Sequence, residues 1–163
     1  MRTSRTVLRA AIAAAAAALA GCDSTAAPRP VVPAVTSAAQ NAVIKQYVVR
    51  VNGPIRDFHR AWQDYNDQGC LTDASSNVCK RLPLTLKVAA FTMVAALDGV
   101  MKPGGPAYIG PPPQEIAPLV ARTRQAAEKV DDDLGGTRVP GWQNDALRLD
   151  IVLDGWGPYL GAG

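Results

Sequence analysis

Apolar residues in this chain recur at alternating steps of four and three positions, and this spacing restricts the fold more than any other feature. Residues spaced in this way share one face of an α-helix. The first set has seven members: Ile44, Val48, Val51, Ile55, Phe58, Trp62 and Tyr65. The second set has five members: Leu86, Ala90, Met93, Leu97 and Val100. Two amphipathic helices are therefore expected before residue 102.

Two later segments repeat the same spacing. The third set is Ile116, Val120, Thr123, Ala127, Val130 and Leu134, and the fourth is Trp142, Ala146, Leu149, Leu153, Trp156 and Leu160. Helices that each have one apolar face bury those faces against one another. The sequence therefore predicts an all-α fold, a four-helix up-and-down bundle in a single domain over residues 36–163. The three tryptophans fall on these faces, which favours core positions over a ligand-binding cluster.

Glycine and proline set the expected ends of the helices. The helices are predicted over about 36–67, 84–102, 113–134 and 140–156. The first is expected to be kinked at Gly53-Pro54, or to be two nearly collinear helices, because proline lacks an amide hydrogen and clashes with the preceding turn. The fourth has an alternative, since residues 147–151 alternate in polarity like a strand. Helix is favoured there because no second strand is available for pairing.

The stretch from Leu84 to Lys102 is the most apolar part of the expected domain, and it allows two interpretations. A membrane span needs about 20 mostly apolar residues, and this stretch is barely long enough. Lys87 and Asp98 would each be costly near the centre of a bilayer. A central helix of the bundle is therefore favoured, with Asp98 and Lys102 as an exposed ion pair one turn apart.

The chain has three cysteines, and two of them lie together between the first two expected helices. Cys70 and Cys79 lie in a loop predicted over residues 69–83. An even pair of cysteines is normally a disulfide where a chain is exported, and the N-terminal segment of this chain predicts export. In the chain-entropy model, closing so short a loop contributes roughly 3 kcal/mol. The spacing does not match a zinc site, so a structural disulfide is expected.

The N-terminus has the organisation of an export signal. Arg2, Arg5 and Arg9 precede an apolar run from Ala10 to Ala20, which is too short to span a membrane. The run ends in Leu19-Ala20-Gly21-Cys22. This tetrapeptide resembles the lipobox of bacterial lipoprotein precursors. The resemblance implies cleavage after Gly21 and a lipid on the Cys22 sulfur, and two acyl chains suffice for stable anchoring.

This resemblance divides the chain into three parts. Residues 1–21 are the expected signal peptide, and residues 22–35 are the lipidated N-terminus and a disordered, proline-rich tether. The mature protein is then expected at the cell membrane, held through Cys22 on the extracytoplasmic side. The signal has three arginines and no acid, so 14 of the 17 basic and all 14 acidic residues belong to the mature chain. That balance gives no electrostatic basis for a nucleic-acid partner.

Residues suited to catalysis or metal binding are few. His59 is the only histidine, and without a recognisable nucleophile it is expected at the surface or the edge of the bundle. The run Asp131-Asp132-Asp133 lacks the alternating ligands and glycine of a calcium loop and is expected to be solvated. The sequence therefore predicts no catalytic residue, no metal site and no cofactor.

The glycine- and proline-rich loop over residues 103–113 is the best candidate for recognition, because Tyr108 and Ile109 lie at its centre. The alternative is a rigid connection between helices. Taken together, these features favour a non-enzymatic module that contacts another cell-envelope protein. A carrier or sensor that binds an apolar small molecule between its helices is the second hypothesis, and an enzyme that uses His59 is the third.

Overall fold

A computed structural model describes residues 37–136 and 139–161, and all regular structure in these ranges is helical. Four main helices and one short helix follow in order: α1 (Ser37–Asp67), α2 (Asn77–Met101), α3 (Ala117–Asp133), α4 (Trp142–Asp154) and α5 (Gly157–Leu160). The all-α prediction is confirmed, and the strand alternative for residues 147–151 is wrong because they lie inside α4. The expected signal peptide, the tether and Cys22 lie outside the described residues.

The four main helices pack in series. α1 contacts α2, α2 contacts α3, and α3 contacts α4, while α1 also contacts α4 and α5. The neighbour relationships therefore form a closed sequence, and the inner faces of all four helices meet in one core.

That core contains the four apolar sets identified in the sequence, together with other buried residues such as Tyr47, Ala61, Ala89 and Leu119. All members of the four sets are buried except Val48, Leu134 and Leu160, which are half-buried and pack against the core. All three tryptophans are buried, Trp156 completely. Trp62 and Tyr65 of α1 have nearly parallel rings with centroids 5.8 Å apart, and Tyr65 meets Trp142 of α4 edge to face at 5.2 Å. The regular spacing thus predicted the residues that the helices bury.

α1 is one continuous helix that contains Pro54 in its interior. Two separate collinear helices, the alternative given by the sequence, are therefore not present. Val51 and Ile55 on either side of the Gly53-Pro54 pair are fully buried. Burial of this continuous face compensates for the hydrogen bond that proline cannot donate.

α2 begins seven residues earlier than the sequence predicted, so the expected loop over residues 69–83 is wrong from residue 77 onward. The reason is an N-cap at Ser76, whose hydroxyl oxygen accepts a hydrogen bond from the Cys79 backbone N–H at 3.1 Å. Pro83 lies inside the helix and is buried. α3 begins later than predicted, and Pro118 lies in its first turn, where proline is tolerated.

The disulfide between Cys70 and Cys79 is present. Both cysteines are buried, and Cys79 lies in the first turn of α2. The Tyr65 hydroxyl of α1 donates to the Cys70 carbonyl oxygen at 3.1 Å. The disulfide therefore connects the segment that follows α1 directly to the start of α2, and restricts how these two helices can separate.

α2 is the one described helix with the length and apolar composition of a membrane span. Eight of its residues are buried in the core of the bundle, among them Leu86, Met93 and Leu97. The helix packs against α1 and α3, and its remaining residues are half-buried or exposed.

One hydrogen bond in the core joins two completely buried side chains. The Trp156 indole N–H donates to the Thr123 hydroxyl oxygen at 2.9 Å. A buried donor that loses its partner costs more than the bond itself contributes.

We expect Thr123→Val, which keeps the side-chain shape, to lower the free energy of unfolding by about 1–3 kcal/mol because the indole N–H is left unsatisfied. The matched control is Thr92→Val on α2, where the threonine is exposed and its hydroxyl donates to the Val88 carbonyl oxygen. The control should change stability by less than about 0.5 kcal/mol. Urea unfolding followed by circular dichroism measures both, and equal stabilities for the two variants would contradict this account.

Candidate functional site

The loop between α2 and α3, which contains Tyr108 and Ile109, is held to the bundle by backbone hydrogen bonds. The Ile109 and Gly110 amides both donate to the Val100 carbonyl oxygen, at 2.9 and 3.3 Å. The Tyr108 amide donates to the Gly105 carbonyl oxygen at 3.1 Å. The centre of the loop is therefore fixed against the last turn of α2.

A buried tyrosine holds the other side of this loop. The Tyr47 hydroxyl donates to the Gly110 carbonyl oxygen at 2.6 Å, although the two residues are 63 positions apart. Tyr47 is completely buried in α1. Burial raises the pKa of Tyr47 above its ordinary value, and the nearby Tyr108 adds to this shift. The phenol therefore stays protonated at neutral pH and keeps its donor hydrogen.

Gly110 has a backbone conformation that few other residues adopt. Its φ angle is 123°, in a region where a Cβ atom is strained. This conformation presents its carbonyl oxygen to Tyr47 and its amide to Val100. Glycine at this position thus allows the loop to be attached to α1 and α2 simultaneously.

Tyr108 and Ile109 are presented differently on the surface. Tyr108 is 44% exposed, whereas Ile109 is half-buried and packs against the core. Beside Ile109 lies a shallow hollow of about 260 Å³ that α1 lines with Lys45, Gln46, Val49 and Arg50. Val49 is 74% exposed. We call Ile109, Val49, Lys45 and Arg50, which line this hollow, together with Tyr108, the neighbour of Ile109 in the chain, the loop surface.

The loop surface combines apolar contact area with two cations. A tyrosine ring and aliphatic side chains supply contact area at a low cost in conformational entropy. Lys45 and Arg50 favour an acidic group on whatever binds beside them. The sequence identified Tyr108 and Ile109, but it did not reveal that α1 completes the surface.

His59 lies between α1 and α4, at the edge of the bundle, and it has a partner that the sequence did not reveal. Its Nδ1 atom is 2.7 Å from Oδ1 of Asp150. The hydrogen bond to Asp150 raises the pKa of His59 above its ordinary value of 6.5, although partial burial opposes the shift. The negative charges of Asp150 and Asp154 raise it further. A carboxylate partner stabilises the imidazolium cation, so the two side chains form an ion pair between helices when His59 is protonated.

The three aspartates at the end of α3 have different environments, so the expectation of a uniformly solvated run is wrong. Asp132 is exposed, Asp131 is half-buried, and Asp133 is buried. Lys129 donates to Asp133 one turn away, which lowers the pKa of Asp133 below its ordinary value. Lys129 also lies 3.6 Å from Asp145 of α4. The Val139 amide donates to the Asp133 backbone carbonyl oxygen at 3.1 Å, so Val139 lies beside the end of α3.

Asp98 pairs across two helices instead of along its own. Arg124 of α3 donates to Asp98 from Nε at 2.6 Å and also approaches with a second nitrogen at 3.4 Å. The expected Asp98–Lys102 pair is not formed: Asp98 binds Arg124 instead, and Lys102 contacts Asp98 only through its backbone amide, which donates to the Asp98 carbonyl oxygen at the C-cap of α2.

Within residues 37–136 and 139–161, no group of three or more histidine, cysteine, aspartate or glutamate side chains is arranged to hold a metal ion. Comparisons of this chain with protein-family models, with curated proteins and with solved structures find no match. The contacts, charges and burial of the described residues are therefore the basis for assigning a function.

We expect Tyr47→Phe to loosen the loop, because the Gly110 carbonyl oxygen loses its buried donor. The free energy of unfolding should fall by about 1–2 kcal/mol, and amide hydrogen exchange at Ile109 and Gly110 should accelerate. Tyr159→Phe is the control, since the Tyr159 hydroxyl makes only a long, exposed contact of 3.4 Å with Glu115. Unchanged exchange at Ile109 in Tyr47→Phe would show that the tyrosine does not hold the loop.

The His59–Asp150 pair predicts a specific pH dependence of stability. A histidine with a raised pKa stabilises the folded state fully below pH 6.5, and this contribution is lost as pH rises through the raised value. The wild-type free energy of unfolding should therefore fall by about 0.5–1 kcal/mol from pH 6 upward. His59→Gln and Asp150→Asn should both remove this decline in urea titrations, and a decline of equal size in either variant would contradict the assignment.

Proposed function

We propose that this protein is an exported lipoprotein, held at the extracytoplasmic face of the cell membrane by a lipid on Cys22. The observation that carries the proposal is Leu19-Ala20-Gly21-Cys22 at the end of a short apolar run that follows three arginines. Small residues before the cysteine suit cleavage by a peptidase. In this proposal the helical domain is a non-enzymatic module that contacts another protein of the cell envelope.

The proposal includes the finer arrangement of the bundle, in which successive main helices alternate in direction. Cross-helix pairs support this. His59 of α1 contacts Asp150 of α4, and Tyr65 of α1 contacts Trp142 of α4. Residue numbers therefore rise along α1 in the direction in which they fall along α4. Between α2 and α3, Lys87 lies 3.8 Å from Asp131, and Asp98 pairs with Arg124. Residue numbers again rise along one helix where they fall along the other.

α1 is expected to bend at Gly53-Pro54 within this arrangement. The proline lies in the helix interior, where it removes one backbone hydrogen bond and crowds the preceding turn. Sharp bends in helices usually occur at such positions. A bend here would let the two halves of α1 follow the surfaces of α2 and α4.

Alternating directions bring the loop surface to the end of the bundle that follows the tether. The contact between Tyr47 in the first half of α1 and Gly110 supports this position. Residues 22–36 span at most roughly 50 Å when fully extended. A partner of the loop surface would therefore be close to the membrane, and acidic groups beside an apolar patch would suit Lys45 and Arg50.

The carrier hypothesis has weaker support. A hollow of about 540 Å³ between α3 and α4 is lined mostly by charged side chains, which include Arg122, Asp132 and Arg148. An apolar ligand gains little from such a surface. An enzyme that uses His59 is the third hypothesis: Asp150 binds Nδ1 of His59 as it would in a catalytic base, but no described hydroxyl or thiol hydrogen-bonds to the imidazole.

A photo-crosslinking experiment in intact cells tests the envelope module. We expect a crosslinker at position 108 to capture one dominant envelope protein. The matched control is position 147 of α4, because Leu147 and Tyr108 are similarly exposed, at 46% and 44%. Cys22→Ala should abolish capture at position 108, since the unanchored chain no longer reaches its partner. Equal capture from both positions, or capture that survives Cys22→Ala, would contradict the proposal.

A further inference from the structure

The outer face of α2 exposes large apolar side chains in a regular row. Leu84 is 65% exposed, Val88 is 55% exposed and Phe91 is 59% exposed. Ala95 continues the row and is also exposed. The residues are spaced by four, three and four positions, so they form a second apolar stripe on the side of α2 that faces away from the core.

Charged residues of opposite sign end this stripe. Arg81 lies three positions before Leu84 and is exposed. Asp98 lies three positions after Ala95, and its side chain is 48% exposed even though Arg124 binds it. The stripe with its ends therefore spans 18 residues, or roughly 25 Å of helix. We call it the α2 face: Arg81, Leu84, Val88, Phe91, Ala95 and Asp98.

We propose that the α2 face binds the α2 face of a second copy of this chain, with the two helices antiparallel about a two-fold axis. In this register Arg81 of each copy lies opposite Asp98 of the other. Leu84 lies opposite Ala95, and Val88 lies opposite Phe91. Each pair of facing residues thus joins a larger side chain to a smaller one, or a cation to an anion. A two-fold interface requires this self-complementarity.

Other registers are less favourable. A shift of seven residues in one direction places Val88 against Asp98, and the same shift in the other direction places Arg81 against Phe91. A parallel arrangement puts Arg81 beside Arg81 and Asp98 beside Asp98, so like charges repel at both ends. Charge complementarity therefore selects one antiparallel register.

The same charges favour a second copy over a lipid surface. Helices that lie on anionic membranes have cations along the edges of their apolar face. The α2 face has an acid at one end, which anionic headgroups would repel. Because the proposed interface involves one helix from each copy, it belongs to the small, weak class. We expect a dimer that forms reversibly at micromolar concentrations or above.

Sedimentation of the full chain with Cys22→Ala, without detergent, tests the dimer from about 1 μM to about 1 mM. We expect Phe91→Glu to weaken association by about 30-fold or more, because a charge is placed in the centre of the interface. The matched control is Ile151→Glu on α4, where the isoleucine is 61% exposed. Both variants should have the same circular dichroism spectrum as the unsubstituted chain, and only Phe91→Glu should weaken dimer formation.

Single cysteines test the register on the same background, in which Cys70 and Cys79 are already joined. Val88→Cys and Phe91→Cys should form a disulfide with each other when mixed and oxidised. Each should crosslink poorly with itself. A parallel arrangement would give the reverse pattern.

Arg81→Glu supplies a third readout. It should weaken the dimer by about fivefold at low salt, because the introduced carboxylate then faces Asp98 of the other copy, and the loss should shrink at high salt. A monomer at 1 mM would overturn the proposal, as would association that Phe91→Glu leaves unchanged. Binding of the monomer to vesicles of anionic phospholipid, abolished by Phe91→Glu, would instead assign the α2 face to the membrane.

Discussion

The apolar face of α1, from Ile44 to Tyr65, packs between α2 and α4, and the rest of the structure depends on its removal from water. Full burial of one large aliphatic or aromatic side chain contributes roughly 1.5–3 kcal/mol. An exposed ion pair such as Arg124–Glu128 contributes about 1 kcal/mol or less. The arrangement of the helices is therefore determined by the apolar faces, and the surface charges adjust to it.

Buried polar groups then restrict the packing to one geometry. The Trp156–Thr123 bond fixes the turn between α4 and α5 against α3. The Tyr47–Gly110 bond fixes the loop after α2 against α1. Each bond joins segments that are distant in sequence, and each would leave an unsatisfied group in the core if the helices shifted. The Cys70–Cys79 disulfide connects the start of α2 to the segment after α1. The loop between α2 and α3 is held by hydrogen bonds to Val100 and Tyr47, so the backbone of the loop surface is already fixed in the bundle.

Apolar spacing was sufficient to predict the number of main helices and most of the core, because burial in a helix repeats every three or four residues. The Cys70–Cys79 pairing was predicted from the cysteine count together with the export signal that we propose for the N-terminus. The start of α2 was missed, since Pro83 suggested a loop while the N-cap at Ser76 acted earlier. The spacing pattern assigns Val48 to the buried face and not its neighbour Tyr47, although both follow Ile44 at helical spacing and Tyr47 is the more deeply buried.

Partners across helices could not be predicted from local patterns. His59 and Asp150 are 91 residues apart, and Asp98 and Arg124 are 26 apart. Such pairs depend on how far each helix is rotated about its axis, which the apolar spacing limits only roughly. For the same reason, the sequence indicated Tyr108 and Ile109 but not the contribution of Lys45 and Arg50 to the same surface.

We propose that this bundle works at a membrane, and the N-terminus of the mature chain tests this proposal most directly. Mass spectrometry of the protein extracted from its own membranes measures the N-terminal peptide. We expect a peptide that begins at Cys22 and carries the mass of a diacylglyceryl group, with no peptide from residues 1–21. An unmodified Cys22, or a chain that still contains residues 1–21, would contradict the proposal and remove the basis for a partner near the membrane.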